Sequence, residues 1–133
     1  ALLQSGLDGR VLRQADLALA WSASRHWWNG GGSIHVLPNE RWARRVLGTY
    51  ANELDRADPA CGHAVLREQP GCAYVLSLRA PRGAHQLCRR FGGGGRAGAA
   101  GVDHLPGWRF CEFVEAFEAG PWTTWAPAAR ALG

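Results

Sequence analysis

The chain has 133 residues, 47% of them hydrophobic and seven of them Trp, with a formal net charge of +4. That length and apolar content exclude a disordered chain and allow one domain, with or without an appendage, to bury its own core. No apolar run approaches the roughly 20 residues that span a bilayer, and the N-terminus lacks the order of a secretory signal, so the expectation is no membrane and a cytoplasmic address.

All fifteen basic residues are Arg. Their placement says more than their number. From Gln69 to Val102 there is no acidic residue, while Arg79, Arg82, Arg89, Arg90 and Arg96 contribute +5, more than the whole net charge. Such a patch attracts phosphate-bearing ligands and strengthens as salt falls. Cys61, Cys72, Cys88 and Cys111 include no Cys-x-x-Cys pair, and the five His show no i,i+4 ligand spacing. Buried, reduced thiols are therefore expected, and no metal or other cofactor in this chain.

In chain order, residues 8 to 27 are compatible with a helix whose apolar face holds Val11, Leu12, Ala15 and Leu19, with Asp8 and Asp16 in water. The breaker run Asn29-Gly30-Gly31-Gly32 ends it after Trp27-Trp28. Ser33 to Leu37 is a short strand stopped by Pro38. A helix over 39 to 57 is the clearest element: Trp42, Ala43, Val46, Leu47, Tyr50, Ala51 and Leu54 recur at helical intervals. Asn39 is its expected N-cap, Glu40 and Arg44 pair on its wet side, and Asp58-Pro59 ends it. His63 to Arg67 reads as a strand and Gln69-Pro70-Gly71 as a turn. In the next strand, Ala73 to Arg79, Ser77 and Arg79 point to one face, about 7 Å apart. A helix from Gly83 to Arg90 buries Leu87 and Phe91, and Gly92 suits the left-handed position that ends it. Ala99 to Val102 forms a last strand. Pro106-Gly107 opens a final helix in which Phe110, Phe113, Val114 and Phe117 are core and Glu112, Glu115 and Glu118 stay wet. From Gly120 onward Pro121, Trp122, Trp125 and Pro127 break periodicity, which predicts a loosely packed tail or one that docks on a neighbour.

One glycine would end the helix at Phe91, yet Gly92, Gly93, Gly94 and Gly95 stand in a row before Arg96. Each costs roughly 0.5–1 kcal/mol relative to Ala in ordered backbone. Two readings follow. The run lets strand and helix approach closely, or it turns several N–H groups towards one anion as a nest, with Arg96 at the lip as a planar, permanently charged fork. The absence of Gly-Lys-Ser/Thr excludes a Walker loop, and a run that follows a helix is no dinucleotide fingerprint.

Ser77-Leu78-Arg79, then a helix, then Phe91 to Gly95, then Ala99-Ala100-Gly101 and a C-terminal helix resemble, in that order, the C-terminal DHH-associated domain of DHH-family phosphoesterases. The resemblance covers roughly residues 33 to 119. It implies an α/β fold, a small mixed β-sheet flanked by helices, with residues 1–32 as a helical connector from an upstream domain and 120–133 as a tail. It also implies that the chain is the C-terminal portion of a longer protein. In the family a Ser-strand Arg and a His after the glycines bind substrate phosphate. That role carries to Arg79 by direct match; Arg96 stands where the family has His, and its role is an inference from charge and position.

The resemblance further implies substrate binding by Ser77, Arg79, Gly92, Gly93, Gly94, Gly95 and Arg96. The ligands implied are single-stranded nucleic acid, a short oligonucleotide or a nucleotide phosphate. Catalysis in the family belongs to an upstream Asp-His-His domain that holds divalent metal, usually manganese, to hydrolyse a phosphodiester or phosphoanhydride. Asp103-His104-Leu105 is not that motif, so no catalytic residue is expected here and the chain alone is expected to hydrolyse nothing. Two alternatives stand beside this reading. One is an RNA-binding accessory domain like that of alanyl-tRNA synthetases. The other is a structural module that forms a homodimer through Trp21, Trp27, Trp28, Trp122 and Trp125.

Overall fold

The computed structural model describes residues 14–29 and 31–123. A six-stranded mixed sheet runs in the order β1-β2-β3-β4-β6-β5. Its strands are β1 (Arg25–Asn29), β2 (Gly32–Leu37), β3 (Gly62–Gln69), β4 (Ala73–Arg79), β5 (Gly94–Gly95) and β6 (Ala99–Pro106). Only β2 and β3 pair in parallel; every other neighbour is antiparallel. Helices cover both faces, which is the α/β arrangement expected. It explains why β2 and the first part of β3 are buried on both sides and lack polar alternation.

On one face lie α1, helical from residue 14 to residue 23, and α2 (Arg41–Ala57). Ala43, Val46, Tyr50, Ala51 and Leu54 of α2 close over Leu37 and Val65, joined by Ala20 of α1. On the other face α3 (Ala84–Arg89) and α4 (Phe110–Glu118), the latter entered through a 3-10 turn at Gly107–Arg109, bury Leu87, Cys88, Phe113 and Phe117 against Ala64, Leu66, Leu76, Leu78 and Val102. The final-helix aromatics are therefore core, as their spacing predicts.

Several expectations are corrected. The first helix ends at residue 23, and Arg25–Asn29 is a strand paired with β2, so Trp27 packs from the sheet against Phe110. The buried side of α1 is Leu17 and Ala20, whereas Ala15 and Leu19 are exposed; Val11, Leu12 and Asp8 lie outside the described residues. Asp16 is not a free acid but accepts from Arg45 at 3.2 Å. Glu40, not Asn39, is the N-cap of α2, with no side-chain cap bond. Its carboxylate takes the indole N–H of Trp42 rather than pairing with Arg44. Trp122 is 3% exposed and donates to Phe117 O at 3.0 Å, so it belongs to the core and not to a sticky tail. Trp125 and the side chain of Trp28 lie outside what is described. Of the four thiols only Cys88 is buried, and burial pushes it up to about 12; Cys72 and Cys111 are exposed. Among the described residues no helix is long and apolar enough to cross a membrane.

Candidate functional site

Register places the singled-out residues on one face. Ser77 pairs with Gly101, which pairs with Gly94; one step along, Arg79 pairs with Ala99. Cross-strand partners share a face, so Ser77, Arg79, Gly101 and Gly94 all lie on the α2 side of the sheet. α2 crosses β3 and β4 there, while Gly101 and Gly94 carry no side chains at all. The result is a floor of bare backbone beside Ser77 and Arg79.

Arg79 is fixed before any ligand arrives. Its Nε donates to Asn52 Oδ1 of α2 at 2.8 Å, and its Nη1 donates to Ser77 Oγ at 2.9 Å and to Leu78 O at 3.1 Å. Among the described residues Nη2 makes no bond; it approaches Gly48 of α2, where a Cβ would stand 3.9 Å away. One edge of the guanidinium is thus held and the other is open. Burial, chiefly, holds its pKa below the usual Arg value; Asp55 opposes that shift and Arg96 adds to it, so Arg96 lies within electrostatic reach of Arg79. Asn52 is a member of the site that its sequence did not reveal: it lies 27 positions from Arg79, on a helix read only for its apolar stripe.

The four glycines divide by task. Gly92 has φ +85 and its N–H returns to Arg89 O, while the Gly93 N–H returns to Cys88 O at 2.9 Å. These two bonds are the paired closure of a Schellman helix end, so neither amide is open to an anion. Gly94 and Gly95 form the edge strand β5 against β6. A Cβ on Gly93 would meet Gly101 O at 2.0 Å, and one on Gly95 would meet Ala99 O at 2.6 Å. Close packing therefore accounts for Gly93 and Gly95, and the left-handed backbone angle for Gly92. Gly94 is the exception: its φ is not left-handed and a Cβ there would meet nothing within 4 Å. The structure thus brings together Ser77, Arg79, Gly94 and, more loosely, Arg96, and directs the Gly92 and Gly93 amides inward. Arg96 is exposed, and its backbone exchanges hydrogen bonds with Ala99 across a two-residue turn. Arg82, Arg89 and Arg90 are exposed. Among the described residues no group of three or more His, Cys, Asp or Glu is arranged to hold a metal ion.

No family model matches the sequence, and no curated protein does. Solved structures do match in fold. An exopolyphosphatase-related protein from Bacteroides fragilis aligns with a TM-score of 0.59 at 20% identity, over 90% of this chain and 36% of that one. A pGpG-specific phosphodiesterase, PggH, from Vibrio cholerae aligns with a TM-score of 0.52 at 11% identity, over 80% of this chain and 37% of that one. The C-Ala domain of alanyl-tRNA synthetase from Aquifex aeolicus aligns with a TM-score of 0.55 at 18% identity, over 71% of this chain and 96% of that domain. The chain thus has the fold expected of a DHH-associated domain, shared with C-Ala, and spans little more than a third of the first two proteins.

Proposed function

We propose that this domain binds the phosphate groups of a short single-stranded oligonucleotide or nucleotide, as the substrate-gripping part of a phosphoesterase whose metal-dependent chemistry resides in another domain. The observation that carries the proposal is Arg79. Its guanidinium is pre-set by Asn52 and Ser77, keeps Nη2 unbonded among the described residues, and shares the α2 side of the sheet with the bare-backbone pair Gly101–Gly94, within electrostatic reach of Arg96. A pre-organised cation loses little freedom on binding, which favours affinity. With Nε and Nη1 already engaged, Arg79 contacts an oxygen end-on through Nη2, and Arg96 supplies the second, more mobile charge. Because the Gly92 and Gly93 amides close the helix end, they form no nest, and the anion is held by the two guanidiniums and Ser77, with Gly94 leaving room for it.

Fluorescence anisotropy with a 5′-phosphorylated trinucleotide tests this. Arg79→Ala is expected to weaken binding at least about tenfold, whereas Arg25→Ala, on β1 and paired with Glu68 at 2.8 Å, leaves it unchanged. Equal effects, or none from Arg79→Ala, would overturn the proposal. The fold shared with C-Ala supports a second reading, an RNA-binding accessory domain. A structured RNA hairpin in the same assay separates the two, since tighter binding of the hairpin than of the trinucleotide favours that reading.

A further inference from the structure

A buried cation without a counter-ion stands elsewhere in the molecule. Arg67 lies near the C-terminal end of β3, in register with Leu37 at the end of β2 and with Val75 of β4. It is 9% exposed. Its Nη1 makes only two long bonds, to Asn39 Oδ1 at 3.4 Å and Glu68 O at 3.3 Å. Its Nε is buried and donates to nothing. Among the described residues it forms no ion pair, since the Glu68 carboxylate is taken by Arg25. Burial, and then the charge of Arg44, hold its pKa below the usual Arg value. A buried guanidinium N–H left without an acceptor is destabilising, and a nearby anion would relieve it.

The bond to Asn39 sets this guanidinium at the start of α2. That start is itself unsatisfied. Its N-cap Glu40 makes no side-chain cap bond, and the first turn contains no acid. Arg44 N–H is the first to reach a helical acceptor, Glu40 O at 3.2 Å, which leaves the N–H groups of Arg41, Trp42 and Ala43 pointing out of the helix end. The dipole there is positive, yet the sequence places Arg41 and Arg44 in the same turn, against the favourable sign. Glu40 is the one acid beside them, and it forms no ion pair with either. β2 and β3 are parallel and both end here, with α2 leaving the end of β2; ligands of open α/β sheets sit in this kind of place, outside the carboxyl ends of parallel strands at a helix N-terminus.

We infer that the start of α2, with Arg67 and Arg44, is a second anion site that takes a phosphate group. It is distinct from the Arg79 surface: Arg67 is in register with Val75, four residues along β4 from Arg79, about 13 Å by strand rise. It does not depend on the function proposed above. An oxyanion at this position would accept from the free helix amides and from the Arg67 guanidinium, and would offset the positive charge of Arg41, Arg44 and Arg67 beyond what the Glu40 carboxylate does.

The test is a ¹⁵N–¹H NMR titration of the whole chain with inorganic phosphate at constant ionic strength, chloride serving as the balancing anion. Saturable shifts are expected at the amides of Arg41, Trp42 and Ala43 and at Arg67 Nε–H. Arg44→Gln, an exposed change that leaves the fold intact, should weaken the response about threefold; Arg67→Gln should abolish it, and Arg79→Ala should leave it as it was. A 5′-hydroxyl trinucleotide in place of phosphate tells the source: the same shifts mean a diester suffices, and their absence means a free phosphate is required. The inference is overturned if these amides fail to move with either anion, move equally with chloride, or respond unchanged in both Arg44→Gln and Arg67→Gln.

Discussion

Gly93 and Gly94 are adjacent and chemically identical, yet their missing side chains mean different things. A Cβ at Gly93 would stand 2.0 Å from Gly101 O, a backbone atom of the neighbouring strand that cannot rotate away. Gly93→Ala therefore forces β5 and β6 apart and is expected to cost more than about 2 kcal/mol, read as a lowered denaturation midpoint. Gly94 has an open position and no left-handed backbone angle. Gly94→Ala should change stability by less than about 1 kcal/mol in either direction. If a ligand lies along the Gly101–Gly94 row, the same substitution should nonetheless weaken trinucleotide binding. Loss of stability in Gly94→Ala, or stable folding with unaffected binding, would remove that glycine from the site.

At the scale of elements, β2, β3 and α2 are tied by an ordered polar chain inside an otherwise apolar layer. His63 Nε2 faces Asp58 O at 2.8 Å, and a carbonyl only accepts, so Nε2 bears the proton and Nδ1 accepts from Ser33 Oγ at 2.8 Å. Ser33 Oγ then accepts from His35 Nε2 at 3.0 Å, which leaves His35 Nδ1 to accept from Tyr50 Oη at 3.3 Å. His35 is held neutral. Burial first, and then His26 and His63, lower its pKa to about 3. Between that value and the ordinary 6.5 the unfolded chain binds a proton that the folded chain does not. Stability therefore rises with pH across this window and falls as acid is added, by at most about 1.4 kcal/mol per pH unit from this residue. Urea midpoints at pH 5 and pH 7 should show that slope, and His35→Gln should flatten it; an unchanged slope in the variant would assign the acid sensitivity elsewhere.

The same elements show what the chain alone discloses. α2, β4 and the Leu87–Phe91 helix end were legible because each depends on local spacing or a single left-handed glycine. β1 was not, because Trp27 and Trp28 read equally well as the end of a helix until β2 pairs with them. β5 was hidden in a run whose strand character comes wholly from β6. In the site, the Ser77–Arg79 pair follows from strand alternation, whereas Asn52 and the closure of Gly93 on Cys88 are long-range or geometric facts with no local signature.

For the whole molecule, the question is whether a net charge of +4 acts as a diffuse field or through a few fixed groups. Each phosphate neutralised on a single strand contributes a slope of about −0.7 to the dependence of log K on log salt. Binding through Arg79 and Arg96 alone predicts a slope near −1.4, falling to about −0.7 in either single Arg→Ala variant. Engagement of the whole acid-free segment would instead neutralise all three phosphates of the trinucleotide, give about −2.1 and lose little when Arg79 is removed. Arg82, Arg89 and Arg90 are exposed, and Arg89 ends and Arg90 caps α3, which packs on the opposite face of the sheet from Arg79. Arg89 and Arg90 therefore do not converge on an oxygen that Nη2 of Arg79 contacts. Anisotropy titrations of the trinucleotide from 50 to 200 mM salt should accordingly give the shallow slope, and a steep one insensitive to Arg79→Ala would identify a basic face in place of a site.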